Sequence, residues 1–217
     1  MAEKEKHSPT EMGKGQKTRQ QILAVAADLA SAKGLEGLTI GTLAKLLGMS
    51  KSGLYAHFGS KEDLQLAVID LARQRFEATV LPPATQLPDG LPKILALLTS
   101  WADSIEHSTY RGGCFFAAAS AEFDDRPGPV RDEIARLTKQ WLDLLTQGFE
   151  SARMLKQLKS RSDPAQMAFE VHAFVQEANW ARQLLNDKQA FARARRSIRA
   201  CLEREATAKG KKLISST

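Results

Sequence analysis

Two apolar runs, each too short to be stable alone and separated by only two residues, constrain this chain most. Thr39 precedes Ile40, Leu43, Ala44 and Leu47, spaced i, i+3, i+4, i+7 as on one helix face, and Gly48 ends the run. Ser50 then opens a second segment that puts Leu54 and Phe58 four residues apart on one inward face. Thr and Ser suit helix N-caps, and Gly suits a left-handed stop. Helices of about two turns need tertiary support, so the chain is predicted to fold as helices meeting at a sharp turn. Composition agrees: 31 Ala and 27 Leu stand against only 6 Val and 8 Ile. That balance favours helix and excludes a mainly β architecture.

Helical periodicity recurs along nearly the whole chain. Residues 1–16 are polar, with Pro9, Gly13 and Gly15, and read as a flexible arm that can still reach DNA through Lys14 and, just beyond it, Lys17. From Thr18, Ile22, Leu23, Ala26, Ala27 and Ala30 predict a first helix ending at Lys33-Gly34. After the short pair, Ser60-Lys61-Glu62-Asp63 caps a longer helix carrying Leu64, Val68, Leu71 and Phe76. Pro82, Pro83, Pro88 and Pro92 with Gly90 mark a joint, beyond which five more helical stretches follow. One of these starts at Asp163-Pro164, a cap followed by a proline at the first helical position. The prediction is an all-α chain of about nine helices. Its parts are an arm (1–16), a head (17–78), a larger body (79–205) and a basic tail (206–217).

Net charge is a poor guide here. The formal +6 divides into +3 for residues 1–75, −4 for 76–187 and +7 for 188–217, so the carboxy-terminal end outweighs the rest. Lys209, Lys211 and Lys212 read as a solvated end. Any nucleic-acid affinity must therefore come from particular residues of the head. The short pair has the dimensions of a helix-turn-helix, in which the first helix braces the second and the second enters the major groove. Ser50, Lys51 and Ser52 lie at the start of the second helix, where side chains reach base edges and free N–H groups attract phosphate. Gly53 inside a helix costs about 1 kcal/mol relative to alanine unless something approaches closely, and DNA is a sufficient reason. Tyr55, His57 and Lys61 are placed to hold the phosphate backbone, with Thr39 and Thr42 doing the same from the bracing helix. Alone, a short helix pair around a glycine is more often simple packing.

The surrounding pattern changes that weighting. Residues Thr18 to Leu66 contain Gly34, Gly37, Thr39-Ile40, Leu43-Ala44, Gly48-Met49-Ser50, Gly53-Leu54-Tyr55, His57-Phe58 and Ser60-Lys61-Glu62-Asp63-Leu64. This stretch resembles the amino-terminal domain of the TetR family of bacterial transcriptional regulators. The stretch from Gly113-Cys114-Phe115-Phe116 to Glu122-Phe123-Asp124-Asp125-Arg126-Pro127-Gly128-Pro129-Val130 looks like a carboxy-terminal signature of one branch of that family. The resemblance implies that Tyr55, His57 and Lys61 contact phosphates and that Lys51, Ser52 and Gly53 face bases. It further implies a ligand-sensing, dimerising body and a homodimer on a palindromic operator in double-stranded DNA. A repressor released by a small molecule is the leading expectation. An activator of the same family is an alternative, as is an all-α small-molecule-binding protein or enzyme.

In the body, Trp101, Phe115, Phe116, Trp141, Phe149, Phe169 and Trp180 could line a pocket, though aromatic residues at helical spacing more often fill a core. Trp101, Ile105, Phe115, Phe116, Trp141, Leu145, His172 and Gln176 are the expected ligand contacts. Small and branched groups such as Ala173, Ala178, Val171 and Val175 suit close helix packing, so the last two long helices are the expected dimer face. Glu122, Asp124 and Asp125 beside Arg126 could receive a cationic ligand, but read better as a loop with caps for the next helix. Four histidines at 7, 57, 107 and 172, read without a Cys or acid at ligand spacing, argue against a metal. No cofactor and no catalytic residue is expected, since no nucleophile elbow, phosphate loop, dinucleotide fingerprint or zinc motif occurs. Cys114 and Cys201 are expected as reduced thiols, Cys114 in an apolar run as a buried, inert one. No run approaches the roughly 18 apolar residues a membrane span needs, and the polar first twenty residues carry no signal core, so a cytoplasmic protein is expected.

Overall fold

The structure is a computed structural model and describes residues 13–108 and 110–215. Eleven helices occur among these residues: α1 (Lys14–Lys33), α2 (Ile40–Leu47), α3 (Lys51–Phe58), α4 (Lys61–Val80), α5 (Pro82–Thr85), α6 (Leu91–Glu106), α7 (Phe115–Phe123), α8 (Pro129–Met154), α9 (Pro164–Leu184), α10 (Ala190–Glu205) and α11 (Ala208–Ser215). The described residues form no strand, only an isolated antiparallel bridge between Leu158 and Ala206. None of the described helices is long and apolar enough to cross a membrane.

Local chemistry places the helix ends. Thr39, Ser50, Ser60 and Asp163 each cap a helix by accepting a backbone N–H with the side chain. Gly48 stops α2 at φ 64° and ψ 26°, a left-handed conformation that a Cβ disfavours. Two helices exceed the nine that periodicity predicts. Pro82 and Pro83 begin the single-turn α5 instead of merely breaking the chain, because proline suits a first helical turn. The stretch expected as a solvated basic tail forms α11, in which Gly210 and Ile214 are buried between exposed lysines. Its Lys209 Nζ donates to the Leu155 carbonyl at 3.1 Å. Of the expected arm, residues 1–12 lie outside the described residues, and Lys14 to Gln16 form the first turn of α1.

Two apolar cores result, and they do not divide where the Pro-rich joint does. The first gathers Ile22, Leu43, Leu54, Phe58, Leu64 and Val68 of the head, completed by Phe115, Ala119, Phe123, Val130, Ile134 and Leu137 of α7 and α8. The second gathers α6, the later part of α8, α9, α10 and α11, with Trp101, Phe149 and Phe191 deeply buried. The acidic cluster also serves the head. Glu122 accepts the N–H groups of Leu35 and Glu36 at 2.6 and 3.0 Å, so it caps the turn after α1 and not the next helix. α8 starts after Gly128 with no side-chain cap. Gly34 makes that clamp possible: its φ is 80°, and a Cβ there would sit 2.5 Å from Glu122 Oε1. From the other side, the buried Gln65 amide donates to the Leu35 carbonyl at 2.8 Å.

Candidate nucleic-acid interface and cavity

The nine head residues singled out from sequence fall on the starts of α2, α3 and α4 and along α3. Thr39 Oγ1 accepts the Thr42 N–H at 3.1 Å and donates to Thr42 Oγ1 at 2.9 Å, which leaves the Thr42 hydroxyl proton for another acceptor. Ser50 Oγ accepts the Gly53 N–H at 3.0 Å, and the Ser50 and Ser52 hydroxyls lie 3.1 Å apart. Lys51, Ser52 and Tyr55 are exposed, Tyr55 by 48% despite its ring. His57 is half-buried, its ring 6.3 Å from that of Phe58. The space at Gly53 has a local reason: a methyl group there would press on the capping Ser50 Oγ at 3.1 Å.

Lys61 is not a free cation. Its Nζ donates to the Glu36 carbonyl at 2.9 Å and to Glu36 Oε1 at 2.7 Å. The hydrogen bond from Lys61 holds the Glu36 carboxyl below its ordinary range. Glu36 lies 25 residues before Lys61, a distance at which no helical spacing signals the pair.

Where α4 leaves the head core it enters the wall of a cavity of about 360 Å³. Trp101, Phe116, Trp141, His172 and Gln176, all expected from sequence, line it. Three expected contacts do not. Ile105 and Phe115 border a second cavity of about 550 Å³, and Leu145 is fully buried in the core. Phe169 and Trp180 face outward and Phe149 is core. Sequence reasoning missed Arg73, Phe76 and Glu77 of α4 as cavity wall. Phe76 offered a signal, since it follows Ala72, the last α4 residue buried in the head core, and its ring therefore needs another partner. Rings pack edge to face across the space: Phe76 and Trp141 at 5.1 Å and 88°, Phe76 and Phe116 at 6.2 Å and 83°. Trp101 lies flat on His172 at 5.4 Å and 19°. Burial pushes the His172 pKa down, which favours the neutral ring. Cys114 borders both cavities, and burial pushes its thiol pKa up, against the reactive thiolate.

An acid at ligand spacing does exist beside a histidine. Asp103 and Glu106 lie in the last turn of α6 and His107 caps its end, and ligand atoms of the three lie within 4.8 Å of one another. A cation from the protein already meets both carboxylates, because Arg195 Nη2 lies 2.5 Å from Asp103 Oδ1 and 2.6 Å from Glu106 Oε2.

Residues 22–68 match the family described as bacterial regulatory proteins, tetR family, and residues 90–198 match the tetracyclin repressor-like C-terminal domain. The HTH-type transcriptional repressor NemR of Escherichia coli strain K12 is 26% identical over 165 residues, 75% of this chain and 82% of that protein. A TetR transcriptional regulator from Chloroflexus aurantiacus superposes with a TM-score of 0.79 at 24% identity, over 90% of this chain and 98% of that one. AibR, solved in complex with isovaleryl coenzyme A and operator DNA, superposes with a TM-score of 0.65 at 20% identity, over 91% and 94%. With both the helix-turn-helix head and the cavity-bearing body matched, the chain belongs to the TetR family of bacterial transcriptional regulators.

Proposed function

We propose that this regulator is a homodimeric repressor released from a palindromic operator by a small molecule bound in the α4-lined cavity. The carrying observation is that α4 presents Lys61 to the head surface at one end and Phe76 to the cavity at the other. At 1.5 Å per residue those positions are about 22 Å apart, so a ligand pressing on Phe76 tilts a helix that carries the reading surface. In this reading Lys51, Ser52 and Gly53 face bases, while Thr39, Thr42, Ser50, Tyr55 and His57 hold phosphates, joined by Lys61 through the ammonium proton that its two bonds to Glu36 leave over. Ligand binding would change the separation of two half-sites and so the fit to DNA. The name of NemR as a repressor and the AibR complex with both acyl-CoA and operator support the reading.

Dimerisation rests on an apolar stripe along α9, where Phe169, Trp180 and Leu184 are 67%, 51% and 66% exposed. A monomer seldom leaves such a stripe to water, and α10 packs beside it to complete the dimer face. Footprinting on DNA flanking the gene should reveal salt-sensitive protection of a palindrome, and its absence there would overturn the proposal. A reporter fused downstream separates repressor from activator by the sign of the change on deleting the regulator.

A further inference from the structure

Five helices each contribute one ring to the cavity: Phe76, Trp101, Phe116, Trp141 and His172. Such a wall gains most from a ligand that is itself flat and unsaturated, through face and edge contacts. The ionised groups among the lining residues are Arg73 and Glu77, and they meet each other at 2.7 Å. The remaining Arg73 nitrogens are taken too, with Nε and Nη2 donating to Asp70 Oδ1 at 3.1 and 2.7 Å. A charged ligand would lose its hydration; an anion would find Arg73 already held by two carboxylates, and a cation would find among the lining residues only Glu77, which Arg73 already holds. One polar group does lack a counterpart. The indole N–H of Trp141 is buried with no acceptor among the described residues, and an indole can only donate.

Resting on the sensing role above, we propose that this cavity selects an uncharged, planar aromatic compound bearing a carbonyl or ether oxygen that accepts the Trp141 N–H. Equilibrium dialysis of the full chain against four probes of one shape tests it: 2-acetylnaphthalene, naphthalene, 2-naphthoate and N-methylquinolinium. The ketone should bind one site per chain about tenfold more tightly than naphthalene, as loss of one hydrogen bond predicts, and more tightly than either ion. Trp141→Phe keeps a ring in the wall and should erase the preference for the ketone over naphthalene. Ala117→Phe, which fills the cavity from α7 without removing a wall ring, should weaken every probe and serves if Trp141→Phe fails to fold. The proposal is overturned if either ion binds as tightly as the ketone, if no probe saturates, or if the preference survives Trp141→Phe. Operator footprints with the same probes keep the two readings apart. A ketone that binds without releasing DNA sinks the sensing role and leaves the ligand class standing, whereas an ion that binds and releases DNA does the reverse.

Discussion

The reading head and the cavity are assembled over very different distances along the chain. At the head, Thr39 bonds Thr42 and Ser50 bonds Gly53, each three residues on, so the surface offered to DNA is set by local backbone chemistry. The cavity joins rings from α4, α6, α7, α8 and α9, and exists only once those helices have packed. The cavity wall is therefore also part of the core that stabilises the body.

Substitutions should separate the two. The largest effect is expected at Trp101, nearly fully buried in the cavity wall, where Trp101→Ala should cost about 3–5 kcal/mol in urea unfolding. A smaller value would mean that the wall is not core. At the head, Lys51→Ala should relax preference at one base pair by about 1–3 kcal/mol, whereas Lys61→Ala should weaken all sequences alike. Equal weakening by Lys51→Ala in a binding-site selection would remove it from the base-reading set. Glu122→Ala tests the contact that ties body to head, and roughly 2 kcal/mol of stability should vanish with its two charge-assisted bonds. Thr39→Ala, a purely local change, should cost only about 1 kcal/mol, read as a shift in the urea midpoint.

The smallest effect concerns acid. Arg204 on α10 hydrogen-bonds Glu170 on α9 and holds its carboxyl at about 2, well below the ordinary 4.5. A depressed carboxylate pKa stabilises the fold fully above the unfolded value, and that contribution is lost as pH falls from 4.5 toward 2. Glu170→Gln should therefore flatten the acid limb of a stability-versus-pH curve in that window. Identical limbs for the two proteins would show that the pair contributes nothing to α9–α10 packing.

The same contrast explains what was legible in the sequence. The caps at Thr39, Ser50, Ser60 and Asp163 and the stop at Gly48 could be read because each depends on its immediate neighbours. Glu122 was harder to assign, since its partners lie more than eighty residues away. Periodicity says that Ile105, Leu145 and Trp101 are inward, but not that Trp101 borders space while Leu145 is enclosed. α11 was hidden by its lysines, whose exposed positions alternate with the buried Gly210 and Ile214. The Asp103, Glu106 and His107 group was legible in principle, lying at i, i+3 and i+4.

The sharing of helices between the two cores bears on how the molecule unfolds. α4 gives Leu64, Val68 and Ala72 to one core and Val80 to the other, and α8 gives Val130 and Ile134 to one and Leu145 and Phe149 to the other. Neither core can melt without stripping apolar surface from a helix that the other needs. Head and body should therefore lose structure in one cooperative transition. A fragment ending near residue 78 would lack the Phe115, Phe123 and Ile134 side chains that complete its interior, and should populate its folded state far less than the same residues do within the whole chain.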